Sequence, residues 1–245
     1  MIDLIAALII SFFIYGFVGW IWESIINPLF TEYRIRNRGF FNGPIIPIYA
    51  FGAIADVLLF SQDEKILSLF LEGAVVACTI EYITGYLLEK IYNRRWWDYS
   101  DKKFNLNGRI CLEGFVAFGL FCVFVVKWIQ PYLFIQINKI SFITQIIIAT
   151  VLVTLFVIDA ISTFIQMAHI EEHIEHFKKD LEILINDFED DFEAHTRPEL
   201  IISRRKSLNK VQFKQLLKDK KFSEKRIVLA FPHLLEDENN ETKGE

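Results

Sequence analysis

Carboxylates inside oily segments are the first residues of this chain whose chemistry needs a reason. Asp56, Glu72, Glu81 and Asp159 stand within long runs of Ile, Leu, Val and Phe, and Glu23 lies at the edge of another. A charged side chain in hydrocarbon costs at least about 2.5 kcal/mol on insertion scales, so such groups turn inward to pair, carry protons or touch cargo. Asp56 and Glu72 each lie about six residues from the ends of their runs, ~9 Å deep at the helical rise, where the two are expected to share a proton. Glu81 and Asp159 lie about nine residues, or ~14 Å, from the opposite ends of theirs. Those two read either as functional carboxylates, carrying protons or contacting cargo, or as hydrogen-bonded packing groups.

Polar detail gathers near these acids in two connecting segments. One holds Arg38, Gly39, Asn42, Gly43 and Pro44; the other holds Trp96, Trp97, Asp98, Tyr99, Asn107, Gly108 and Arg109. Glycine and proline permit tight turns, and non-helical backbone at membrane depth is tolerated only where protein or a water-filled cavity surrounds it. The expected site is a polar vestibule built from Glu23, Asn42, Glu81, Asp98, Asn107, Arg109 and Asp159. Arg109 precedes Glu113 by four residues, a helical spacing that predicts a pair. No serine, cysteine or other nucleophile has an obvious base, so no catalytic residue is assigned. His169, His173 and His176 share a helical stripe but spread over two turns, too far for one ion, and no metal or cofactor is expected. Cys78, Cys111 and Cys122 lie in or beside apolar stretches without C-x-x-C spacing and read as small buried apolar residues.

The elements that must position these groups are membrane helices. Hydrophobic residues make up 53% of the 245, with 24 Phe and a mean hydropathy of +0.31, which excludes both an ordinary soluble domain and intrinsic disorder. A crossing of ~30 Å takes about 20 apolar residues. Five runs of about that length predict spans near 4–22, 44–60, 66–92, 110–128 and 142–167, with Pro44 and Pro47 in the first turn of the second. Lys and Arg counts alternate between the loops: Arg34, Arg36 and Arg38 in the first, Lys65 alone in the second, six in the third, and Lys127 and Lys139 in the fourth. Fourteen of the 26 follow the fifth run. The bias predicts an N-out, C-in, all-α polytopic protein. The five tryptophans fall at span ends, as an interfacial belt would. A net charge of −5 offers no case for nucleic acid.

Residues 1–168 thus form the expected transmembrane domain, and 169–235 a cytoplasmic hairpin. Ile170, Ile174, Phe177, Leu181, Leu184 and Phe188 follow a coiled-coil spacing on a helix running straight out of the membrane. Ten acids against two bases in 171–193 face ten bases against two acids in 204–226, and Pro198 breaks the helical pattern between them. Residues 236–245 read as a disordered acidic tail.

The strings GFVGWIWESI (16–25), NRGFFNGPIIPIYAFG (37–52), EYITGYLLEKIY (81–92) and WWDYSDKKFNLNGRICLEG (96–114) resemble a bacterial family of putative ABC-transporter type IV membrane proteins. The resemblance covers roughly the first two-thirds, and Asp159 also looks like a family position; Asp56, Glu72 and the charged hairpin depart from it. It implies a permease-like, multi-pass protein of the bacterial cytoplasmic (inner) membrane and names no substrate. No phosphate loop is present, so ATP hydrolysis requires a separate ATPase subunit, and no internal repeat marks a midplane site, so homo-oligomers are a second expected partner besides the lipid bilayer. Two other readings stay open: an integral membrane enzyme acting on lipid headgroups, with Arg109 holding phosphate, and a scaffold that recruits a cytosolic partner through the hairpin.

Overall fold

The computed structural model describes residues 2–31, 37–92 and 95–192. Regular structure among them is helical: α1 (Ile2–Ile21), α2 (Asn27–Thr31), α3 (Pro47–Leu59), α4 (Ile66–Tyr92), α5 (Leu112–Phe124), α6 (Gln130–Ile137) and α7 (Phe142–Phe192). Wider π-helical turns, Trp22–Ile26 and Val125–Ile129, join α1 to α2 and α5 to α6. Each wide turn ends two residues before a proline, Pro28 or Pro131. Proline brings no N–H for the carbonyl four residues back and its ring crowds that carbonyl, so a local widening relieves both without ending the helix.

Four helical runs are long and apolar enough to cross a bilayer: Asp3–Leu29, Ile66–Tyr92, Leu112–Ile137 and Phe142–His169. Their outward faces keep Leu67, Val75, Ile83, Leu155 and Ile158 exposed, as side chains meeting lipid must be. The expected second span differs. Its helix has only 13 residues, about 20 Å, short of the ~30 Å hydrocarbon layer.

Residues 37–46 account for the difference. They fold back along α1: Arg38 N–H donates to Ser24 Oγ (3.0 Å), Trp20 Nε1 to Asn37 Oδ1 (2.8 Å), and Ile46 N–H to the Gly16 carbonyl (3.0 Å). Ser24 to Gly16 is about 12 Å of helix. Ile46 is extended (φ −122°, ψ 97°), as the residue before Pro47 prefers, so the helix starts at Pro47 and leaves Pro44 outside it. α1 admits this segment because it is bare there. A Cβ on Gly16 would meet Ile45 at 2.5 Å, and one on Gly19 would meet the Tyr49 ring at 2.5 Å.

The helices close around small contacts. Tyr15, Ala50, Ala53 and Val125 form one buried cluster, and Leu69, Cys122, Val123 and Val126 another. Gly73 of α4 lies so close to Cys122 of α5 that a Cβ there would stand 2.2 Å from the sulfur. Gly73→Val should therefore cost about 1–3 kcal/mol through overpacking, and Cys122→Ala should recover part of it; thermal unfolding in detergent of both single variants and the double variant measures the coupling.

Among the described residues the chain divides into two compact units, one within 1–160 and the other from Ile161 on. Every candidate site residue belongs to the first. In the second, the backbone stays helical to Phe192; the expected hairpin turn, its basic arm and the tail 236–245 lie outside the described residues.

Candidate functional site

Glu23 owes its aim to the first wide turn. Inside Trp22–Ile26 its carboxylate accepts the Tyr49 hydroxyl (2.6 Å) and the Asn27 side-chain amide (3.3 Å). Tyr49 stands in the first turn of α3, with its ring in the space left by Gly19. A second carboxylate–tyrosine pair faces this one. Glu81 of α4 is only 7% exposed; its Oε1 accepts the Tyr99 hydroxyl at 3.2 Å and its Oε2 has no hydrogen-bond partner. Glu81 is within electrostatic reach of Glu23 and Tyr49, and Tyr99 of Glu23. The four groups form one cluster drawn from the end of the α1 run, α3, α4 and the segment after α4.

That last segment, 95–111, is a braced cap that delivers Tyr99. Tyr99 N–H donates to the Gly108 carbonyl (2.7 Å), and Trp97 Nε1 donates to the Arg109 carbonyl (3.0 Å). Asn107 and Gly108 take the left-handed conformation, φ 53° and 68°. A Cβ on Gly108 would also meet Asp98 Oδ1 at 2.5 Å, so glycine answers both the dihedral and the space. Burial first, then the neighbouring Glu81 carboxylate, pushes the Tyr99 phenol well above its ordinary value. Tyr99 therefore keeps its proton and acts as a donor toward Glu81.

Asp98 anchors the turn below. Its carboxylate accepts the Ser100 N–H (2.8 Å) and hydroxyl (2.5 Å) and lies 3.5 Å from the Arg95 guanidinium. Burial works to raise this carboxyl, but the Ser100 bonds and Arg95 outweigh it and hold it below its usual value. A depressed carboxyl stabilises above its unfolded value of about 3.9 and loses that contribution as pH falls through the lower folded value. Protection from hydrogen exchange in 95–111, taken against the intrinsic rate at each pH, should thus fall on acidification below about pH 4 in the native protein. Asp98→Asn should exchange faster already at neutral pH and lack that acid step; an acid step that survives in the variant assigns the effect elsewhere.

Arg109 does not pair with Glu113 as its spacing suggested. Its Nη2 lies 2.6 Å from Glu89 Oε2, its guanidinium is 5.3 Å from the Tyr82 ring centre and 5.5 Å from that of Tyr86, and Glu113 takes Lys102 instead (3.0 Å). The reason is local: α5 begins at Leu112, so 109 and 113 are not on one helix. Asn107 donates to the Tyr82 hydroxyl (2.9 Å). Asn107, Arg109 and Asp98 fix the cap.

Asp159 stands apart from Glu81. Its two oxygens accept the backbone N–H groups of Asn42 (3.1 Å) and Gly43 (2.8 Å), and a Cβ on Gly43 would come 3.1 Å from Oδ2. Asn37 completes the turn, donating to the Asn42 carbonyl (3.2 Å) and accepting the Gly39 N–H (3.0 Å). Asp56 and Glu72 do not share a proton either: Glu72 is exposed and accepts the Ser68 hydroxyl (2.6 Å), whereas Asp56 is buried against Cys122.

The seven residues singled out from the sequence thus fall into three groups: Glu23 with Glu81 in the cluster, Asp159 with Asn42 in a backbone clamp, and Asp98, Asn107 and Arg109 in the cap. Tyr49 and Glu89 had no local signal; only the bare Gly16 and Gly19 on α1 hinted that something packs there. No curated protein and no solved structure matches the chain. The model of one family, described as Putative ABC-transporter type IV, matches residues 10–164, which hold the cluster, the cap and the clamp. The chain is a member of the putative ABC-transporter type IV family.

Proposed function

We propose that the protein is the membrane-embedded, permease-like component of a transport system, energised by a separate ATPase subunit, with the Glu23–Tyr49 and Glu81–Tyr99 pairs as its site for cargo or protons. One observation carries the reading: a buried carboxylate oxygen of Glu81 with no partner, turned into a cluster with a second acid and two tyrosines. A packing role alone leaves that oxygen without use, whereas an exchanging proton or a cationic group gives it one. The lipid-headgroup enzyme reading is weaker, because the arginine meant to hold phosphate is already engaged by Glu89. Purification of the tagged full chain from bacterial membranes in mild detergent tests the proposal. Co-purifying ATP hydrolysis that is lost with the chain supports it; its absence, with no solute moved in proteoliposomes, overturns it.

Five crossings with N-out, C-in orientation belong to the same proposal. The irregular segment 37–46 and the 13 residues of α3 together run the length that a single helix covers elsewhere, and the lysine and arginine counts require 61–65 to face the side opposite 37–46. A cysteine introduced at the exposed Asp63 should react with a membrane-impermeant maleimide on intact cells. Labelling only after lysis makes α3 a re-entrant helix and the orientation wrong.

A further inference from the structure

A second buried acid takes no part in the cluster. Asp56 of α3 lies seven residues beyond Tyr49, about 10 Å farther along the helix, and is 1% exposed. Its Oδ1 has no hydrogen-bond partner. The groups around it come from three helices: the Cys122 thiol of α5 against the carboxyl, Tyr15 of α1, and Gly73 of α4, where a Cβ would lie 3.6 Å from Oδ1. Glu64 and Glu72 lie beyond Cys122 and add negative charge. Among the described residues no cation pairs with Asp56; Lys127, on the same helical run as Cys122, donates instead to the carbonyls of Gln62 and Glu64.

An ionised carboxylate in this setting bears a desolvation cost of several kcal/mol, against which the Cys122 thiol, a weak donor, is the one hydrogen bond among the described residues. A cation would need several oxygen ligands, and the groups placed at the carboxyl supply none free: a thiol, a phenol already bonded to Gln130, and the bare Gly73. A proton is the ligand that needs no cavity. The surroundings also bear on exchange. Asp56 sits one turn before the end of α3, where its carbonyl accepts the capping Phe60 N–H (2.9 Å), and the loop just beyond exposes Ser61, Gln62, Asp63 and Lys65. Roughly 5 Å of helix, one turn, separates the Asp56 backbone from that loop. The wide turn Val125–Ile129 follows Cys122 by three residues, and π-helical turns are places where a helix changes its bonding register. Buried on the other side, Tyr15 donates to Gln130 (2.7 Å) and Gln130 to Ser11 (3.1 Å), so the tyrosine hydroxyl is committed and does not satisfy Asp56.

We propose that Asp56 is an exchangeable proton-binding site in the membrane interior, loaded while the bundle is closed and reached from the 61–65 side. On release the carboxyl O–H bond breaks and the proton passes to entering water, leaving a carboxylate that the closed bundle does not tolerate. The site stands whether or not the Glu81 cluster handles cargo.

Infrared spectra of the full chain in proteoliposomes test it. At neutral pH, the wild-type minus Asp56→Asn difference should show the carbonyl stretch of a protonated carboxyl, and that band should shift to lower frequency in deuterated water. Asp56→Glu, which keeps the acid, should move the band rather than remove it, and serves if the asparagine variant does not fold. A carboxylate stretch in place of the carbonyl band overturns the proposal. So does a carbonyl band that never shifts in deuterated water, since a locked proton makes Asp56 a packing group only.

Discussion

Asp159→Ala should be strongly destabilising, and for a reason that has nothing to do with transport. The Asp159 carboxylate is the acceptor for two successive backbone N–H groups, those of Asn42 and Gly43. Hydrogen bonds to a charged group are worth about 1.5–3 kcal/mol each, and both donors here are half-buried. Losing both should cost roughly 3 kcal/mol or more, a large fraction of the ~5–15 kcal/mol that holds a typical fold together. Asp159→Asn should fall between, because its carbonyl oxygen satisfies one N–H while its amide faces the other with a donor. Thermal unfolding of the purified chain in one detergent ranks the three proteins. An alanine variant that unfolds with the wild type yet abolishes ATP hydrolysis reverses the assignment and returns Asp159 to the functional site.

Glu81 and Asp159 looked alike in the sequence because depth is all that a hydropathy pattern reports about an acid. What separates them is the irregular backbone each one meets. Asp159 faces a turn whose N–H groups point outward, while Glu81 faces a phenol delivered by a cap of left-handed residues. Neither turn has a periodic signature. The long elements were readable for the opposite reason: α4 runs over the expected 66–92, since an unbroken apolar stretch bounded by charged residues leaves a helix few other endings. α3 was read too long because apolar content does not distinguish helix from irregular backbone bonded to a neighbour, and Pro44 fits the start of either. The wide turns were legible in principle, as Pro28 and Pro131 interrupt runs that remain apolar on both sides. The fourth span was expected to end near 128, whereas the helical run continues through the wide turn to Ile137. The Glu23–Tyr49 contact depends on one such distortion, which explains why the cluster could be half foreseen, acid by acid, without its tyrosines.

Glu81→Gln should do the opposite of Asp159→Ala: leave the fold intact and remove activity. Glutamine has nearly the shape of glutamate, and its carbonyl oxygen can still accept the Tyr99 hydroxyl. The change also deletes a potential charge from a site with no basic partner among the described residues, where an ion is a burden to folding rather than a support. The unfolding midpoint should therefore hold or rise. If the partnerless oxygen exchanges a proton or binds a cationic group, its replacement by an amide nitrogen, a donor with no acid chemistry, should slow ATP hydrolysis by the co-purified subunit at least about tenfold, equivalent to ~1.4 kcal/mol in the barrier. Tyr99→Phe keeps the acid and removes its donor, so it should lower the rate less than Glu81→Gln. Loss of folded protein in Glu81→Gln with an unchanged rate per folded molecule would make Glu81 a packing residue, and the transport site would then have to lie with Glu23 alone or elsewhere in the bundle.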